Sequence, residues 1–221
     1  MQEAQQVHTD LLSAAQDPKK FLKLEHDDPH EEAEDQKMLR LGYKYKTFKL
    51  SDEVTVCIRS VNHFYNESPT EGLSNLFVLL EWNQKRQGWT KDLDQMMMVM
   101  FNKEITDNAS KFNKWTIQSI IAGVDKMRFA FVQRMDPLST KSHKVVGFTS
   151  VNPVSFAGQL NLNVANCWAV LADFASTVLS QELASAEYLY MKDPVQHNYK
   201  LYHMVKTDHD EEDDDEEDEG L

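Results

Sequence analysis

Five consecutive apolar side chains, Leu76-Phe77-Val78-Leu79-Leu80, constrain this chain more than any other stretch. Successive residues of a β-strand point to opposite faces, so an unbroken apolar run describes a central strand covered on both sides. Any fold that contains it must place a layer of structure against each face of its sheet. Upstream, Gly42–Leu50 and Glu53–Tyr65 also read as strands. Val54, Val56 and Ile58 alternate with Thr55, Cys57 and Arg59, the period-two pattern of a half-buried strand. Glu67–Ser74, with Pro69 and Gly72, is the loop before the central run. Met96–Phe101 is a further apolar run, whose methionines suit core filling better than a binding groove.

Downstream, Asn108 is placed to cap a helix over Ala109–Ala122 that Gly123 would end, with Phe112, Trp115, Ile120 and Ile121 sharing its buried face. Met127–Arg134 and Lys144–Asn152 read as two strands joined around Asp136-Pro137. A short helical segment after Pro153 leads to a longer helix over Val164–Leu183, with Asn163 as its candidate cap. Trp168, Leu171, Ala175 and Val178 form its apolar stripe, widened by Phe174 and Leu179. Tyr188–Lys192 and Tyr199–Val205 make a last strand pair around Asp193-Pro194. Strands, helix, strand pair, helix and strand pair in that order predict an α+β fold with a mixed β-sheet core and packed helices. Trp115 and Trp168 are expected in that core.

The two ends differ from the body. Gln2–Leu24 reads as a helix with Val7, Leu11, Ala14 and Leu22 near one face, bent or broken by Pro18. Glu25–Gln36 reads as a solvated acidic linker, so residues 1–37 form a helix and linker ahead of a globular domain at 38–206. The net charge of −13 is concentrated at the far end, where eleven of the twelve residues from Asp208 to Glu219 are acidic. Without them 25 acidic residues face 23 basic ones, so the body is near neutral and can carry an RNA-facing surface. The tail at 207–221 repels itself, buries nothing and is expected to be disordered. Cys57 and Cys167 lie in apolar patterns outside any metal-ligand spacing, which suggests two buried, reduced thiols. No apolar run approaches the roughly 18 residues of a membrane helix, and no secretory leader pattern is present. A cytoplasmic protein without a membrane partner is expected.

No glycine-rich phosphate loop, nucleophile elbow or paired-histidine zinc helix occurs, so neither a cofactor nor a resident metal nor an enzymatic activity is expected. Two constellations remain. Glu81-Trp82-Asn83 ends the apolar strand, and Glu104 follows the next apolar run, just before the helix that carries Gln118. Such positions can converge on one cleft, as the carboxylates of a two-metal nuclease do, although an amide at 83 removes one anionic ligand. Ordinary polar residues at element ends are the plain alternative. In the second constellation, Tyr43-Lys44-Tyr45-Lys46-Thr47-Phe48-Lys49 alternates rings and charges along one strand. Rings can stack on unpaired bases while ammonium groups follow phosphates; equally, the aromatics could sit in the core with the lysines in water. Arg59 on the neighbouring strand joins Lys44, Lys46 and Lys49 as an RNA-surface candidate. Lys111 and Lys114 would extend that surface or form a plain solvated face.

Trp115-Thr116-Ile117-Gln118-Ser119, then Ala122-Gly123 and Phe129-Ala130-Phe131-Val132-Gln133-Arg134, resemble the C-terminal part of the D subunit of eukaryotic translation initiation factor 3. So do Phe156-Ala157-Gly158-Gln159-Leu160-Asn161-Leu162-Asn163-Val164-Ala165-Asn166-Cys167-Trp168, the Tyr188–Met191 strand with Lys192-Asp193-Pro194, and the acidic end. The resemblance implies a non-catalytic scaffold with other factor subunits, the small (40S) ribosomal subunit and mRNA, at its 5′ cap, as partners. It also implies a fold akin to decapping exoribonucleases. Glu81 and Asn83 then stand at the nuclease Glu-x-Asp pair, with Trp82 between them. Glu104 stands at the glutamate of a Glu-Leu-Lys element, Thr106 replaces its lysine, and Gln118 matches a helix glutamine. The two departures weaken metal binding and phosphate stabilisation together, which implies binding without cleavage; a metal-dependent 5′-end nuclease is the alternative. The family's members are considerably longer than this chain.

Overall fold

The computed structural model describes residues 2–17, 41–66, 72–81, 88–136, 138–180, 187–196 and 198–204; in the helix at 88–107, side chains are described at 89 and from 97 onward. The acidic linker, the start of the globular body at Met38 and the acidic tail lie outside these residues. The fold is α+β, as the element order predicts. In chain order the elements are α1 (Gln2–Ala15), β1 (Gly42–Lys49), β2 (Thr55–Asn62), β3 (Phe64–Tyr65) and β4 (Leu73–Leu80). They continue with α2 (Gly88–Asp107), α3 (Ala109–Ala122), β5 (Lys126–Arg134), β6 (His143–Val151), α4 (Pro153–Gln159), α5 (Val164–Leu179), β7 (Glu187–Lys192) and β8 (Tyr199–Met204). The chain divides into two compact units, Met1–Val170 and Leu171–Leu221.

A four-stranded sheet of order β3-β4-β5-β6 organises the first unit. β4 and β5 pair in parallel, so the chain between them must cross over, and α2 and α3 make that crossing. β4 is covered on both faces, as its apolar run requires. Its alternation is clean: Phe77 and Leu79 join Met127, Phe129 and Phe131 in one cluster, which also holds Trp89, Phe101, Phe112 and Phe156. Leu76, Ala130 and Val132 face the other way, onto Val7 and Leu12 of α1. β1 and β2 form a separate antiparallel hairpin. Where β2 ends, buried Asn75 ties it to the sheet by accepting from His63 N at 2.9 Å and donating to Val61 O at 3.1 Å.

Met96–Phe101, an apolar run in the sequence, belongs to the helix α2. Met97, Phe101 and Ile105 recur at four-residue spacing, and Met97, Met100 and Ile105 pack beside buried Phe101. Met98 and Val99 are exposed, so only part of the methionine run fills the core. α3 has the expected bounds, but Asn108 does not cap it; its amide turns back to Glu104. The buried face of α3 is Phe112, Thr116, Ser119 and Ala122, one row at three- and four-residue spacing that excludes Ile120 and Ile121. Gly123 closes the helix at φ 68°, where the N–H groups of Gly123 and Val124 satisfy terminal carbonyls. A Cβ there would lie 2.3 Å from Lys46 Nζ, which occupies this C-terminal end and suits its negative dipole.

Trp115 and Trp168 are half-buried, not core. Trp115 stacks on Phe77 at 4.8 Å, and Trp168 meets Phe48 of β1 at 4.8 Å. Both rings pack against neighbours while keeping part of their surface in solvent. α1 ends at Ala15, before Pro18, and presents Val7, Leu11 and Leu12 to the sheet, leaving Ala14 exposed. Asn163 caps α5 through Asn166 N at 2.9 Å, but none of the α5 residues is fully buried. In the second unit, Phe174 packs on Tyr190 at 4.8 Å, and Tyr190 stacks on Tyr199 at 5.2 Å. Asp193 Oδ1 accepts from Val195 N and Gln196 N, which builds the turn between β7 and β8. Among the described residues no single helix is long and apolar enough to cross a membrane.

Candidate functional site

Two of the predicted cleft residues come within electrostatic range. Glu81 follows β4, its N–H bonding Val132 O of β5 at 2.8 Å. Glu104 lies in the last turns of α2, half-buried. Burial pushes the Glu104 carboxyl above its ordinary pKa; Lys111 opposes that shift, and Asp107 and Glu81 add to it. Asn108 Nδ2 donates to Glu104 Oε2 at 3.2 Å. The result is a partly desolvated carboxyl within the fields of two other carboxylates, Asp107 and Glu81, and two lysines, Lys111 and Lys103, an arrangement that favours holding a proton. Thr106 is turned back on its own helix, its hydroxyl donating to Asn102 O at 2.9 Å. Gln118 is exposed on α3, off the buried row. Trp82 and Asn83 lie outside the described residues. Among the described residues no group of three or more His, Cys, Asp and Glu side chains could hold a metal ion.

The alternating run on β1 resolves in the direction opposite to its plain reading. Tyr43, Tyr45, Thr47 and Lys49 point outward, whereas Lys44, Lys46 and Phe48 are half-buried. The inward side faces α3 and the α5 tryptophan, where Phe48 meets Trp168 and Lys46 meets the end of α3. Desolvation, then the charge of Lys44, lowers the Lys46 pKa. Lys44 and Lys46 therefore do not line an open basic surface. Arg59 does face outward: it pairs with Tyr45 in the β1–β2 register, and its guanidinium lies over the Tyr43 ring at 5.3 Å. Lys111 and Lys114 are exposed on α3, Lys111 lying over the Trp115 ring at 5.1 Å. Cys57 is on the outward face, opposite Thr47, and Cys167 is half-buried, so neither is the sequestered thiol the sequence suggested.

A third grouping was invisible from sequence spacing. Glu3 of α1 meets Arg134 at the end of β5 and His143 at the start of β6. Arg134 Nε donates to Glu3 Oε1 at 2.7 Å, Arg134 also bonds the second carboxylate oxygen, and His143 Nε2 lies 2.9 Å from Oε1. The Arg134 bond in particular holds the Glu3 carboxyl down at about 2. Nearby, His63 Nδ1 accepts from Leu76 N at 3.0 Å, and His8 Nε2 reaches Leu76 O at 3.0 Å. Burial, then the neighbouring His8, lowers the His63 pKa to about 4. These contacts lock α1 to the sheet; the partners of Glu3 lie 131 and 140 residues away, beyond any local motif.

Comparison with known proteins extends over nearly the whole chain. The model of the family described as eukaryotic translation initiation factor 3 subunit 7 matches residues 1–203. The D-2 subunit of eukaryotic translation initiation factor 3 from Drosophila willistoni is 30% identical over 212 residues, covering 94% of this chain and 38% of the relative. The D-1 subunit from Drosophila yakuba is 30% identical over 220 residues, covering 96% of this chain and 39% of the relative. The chain thus spans about two-fifths of the length of these relatives. A match of this extent shows that the chain belongs to the subunit 7 family of eukaryotic translation initiation factor 3, the factor whose D-type subunits these relatives are.

Proposed function

We propose that this chain acts in the cytoplasm as a non-catalytic scaffold of initiation factor 3 on the small ribosomal subunit, joined to other factor subunits and meeting mRNA near its 5′ cap. Family membership across residues 1–203 is the observation that carries this reading. The cap-facing candidates are Glu81, Trp82, Asn83, Glu104, Thr106 and Gln118, and Lys49, Arg59, Lys111 and Lys114 are the outward basic residues that suit an RNA backbone. The half-buried Glu104 beside Glu81 favours a second reading, a metal-dependent nuclease acting on RNA 5′ ends.

Affinity purification of the tagged chain from its own cells separates the two. Recovery of other initiation-factor subunits with small-subunit ribosomal RNA is the expected result, and cap analogue should then displace bound mRNA. Purified chain that instead degrades RNA from its 5′ end with a divalent cation, and loses this on Glu81→Ala or Glu104→Ala, would replace the scaffold by the nuclease.

A further inference from the structure

We propose that the outward face of the β1–β2 hairpin binds unpaired RNA by stacking bases on Tyr43 and Tyr45 beside Arg59, an inference that rests on the RNA-facing reading above and gives it a site. Tyr43 and Tyr45 are 52% and 66% exposed although each carries a large apolar ring. Standing two residues apart on one strand, they project from the same face about 7 Å from each other. Val61 stands opposite Tyr43 and Arg59 opposite Tyr45, and beyond them the same face continues with the small pair Thr47 and Cys57. Arg59 over the Tyr43 ring holds that ring and offers a second planar group for a base.

Charge selects the partner. The paired strands Gly42–Lys49 and Thr55–Asn62 carry Lys44, Lys46, Lys49 and Arg59 and no acidic residue. Asp52 and Glu53 are confined to the connecting turn, where Asp52 is paired with Lys49. A cationic strand pair with open rings matches a polyanion whose bases are free to stack. A duplex keeps its bases stacked on one another and offers these rings no face. The lysines on the inner side are held by the fold, so they raise the local potential without moving to follow the ligand.

The test is fluorescence anisotropy of the full chain with an uncapped, unstructured 12-nucleotide uridine-rich RNA, so that cap recognition plays no part. Saturable binding is expected, and Tyr43→Ala with Tyr45→Ala should weaken it by at least about tenfold. Phenylalanine at both positions should stay within about twofold of wild type, because stacking needs the ring and not the hydroxyl. Both variants should melt with the wild type, since the rings are exposed. No binding by wild type, an unchanged affinity in the double alanine variant, or equal competition by a duplex of the same length would overturn the proposal. Purification of the double alanine variant from cells keeps the two readings apart. Retained factor subunits with lost RNA affinity support a stacking site on a scaffold. Lost subunits with unchanged RNA affinity would make this face a protein-docking surface and overturn the proposal. Tyrosine-dependent RNA binding by a wild-type chain that recovers no factor subunits would support the site and sink the scaffold.

Discussion

The two faces of the central sheet are covered by different means. On one, α2, α3 and α4 close over a cluster with six buried phenylalanines, whose rings meet at about 5–6 Å in tilted, edge-on and stacked pairs. On the other, the 14-residue helix α1 is the cover among the described residues; it lies over mostly small and aliphatic side chains, Ala130 and Val132 among them, and is pinned by charged and imidazole groups. The first face is held by apolar area and shape, which respond little to pH or salt. The second adds to its two buried α1 side chains polar contacts whose strength follows protonation. One sheet therefore joins a permanent core to a cover that conditions can loosen.

Removing a ring from the first face should have the largest effect. Phe129→Ala is expected to destabilise the whole unit by about 3–5 kcal/mol, read as a single shifted unfolding transition. Leu12→Ala on the other face should instead free α1 first, with hydrogen exchange at Val7 and Leu12 accelerated well before exchange at Phe129. A uniform loss in both variants would erase the contrast.

In the first unit, acid should act chiefly on the α1 face. His63 takes up a proton at about 4 when folded, against about 6.5 when unfolded. Between those values the unfolded chain holds more protons, so stability rises with pH and falls by roughly 3 kcal/mol on acidification from pH 6.5 to 4. Glu3 behaves likewise in a lower window: its carboxyl contributes above pH 4.5 and loses that contribution as pH falls towards about 2. His63→Gln should flatten the denaturation midpoint between pH 6.5 and 4, while an unchanged slope would assign the effect elsewhere.

The half-buried tryptophan tests the smaller end of the scale. Trp168→Ala should cost about 2 kcal/mol, less than a buried ring because the indole is only partly buried. Gly123→Ala should cost about 1–2 kcal/mol, because alanine is strained at positive φ and its Cβ would displace the Lys46 ammonium. Equal stability in that variant would mean that the α3 end relaxes freely.

What could be read in advance follows from range. The β4 run, the bounds of α3 and the Asn163 cap are encoded by residues next to one another, and the chain folds there as its pattern says. The methionine segment could not be assigned to an element in advance, because an unbroken apolar run fits a strand or a buried helix, and the recurrence of Phe101 and Ile105 decides only once the facing cluster is known. The tyrosines of β1 misled for a related reason: alternation shows that two faces differ, but not which one is wet. Lysines usually take the water; here the α3 C-terminus receives Lys46 and frees the rings. Glu81 and Glu104 were legible as candidates because both follow apolar runs, whereas the Glu3, Arg134 and His143 cluster joins three distant segments and leaves no local trace.

The reach of that last cluster has a consequence for how the chain is made. Glu3 leaves the ribosome well before His143, and at about 5–20 residues per second the interval is roughly seven to thirty seconds. During that time α1 has neither its ionic partners nor the β5 surface on which it rests. A 14-residue helix with only two deeply buried side chains is marginal alone. It must wait as a nascent, uncommitted segment, open to whatever meets it at the exit tunnel, until the parallel strand pair closes beneath it.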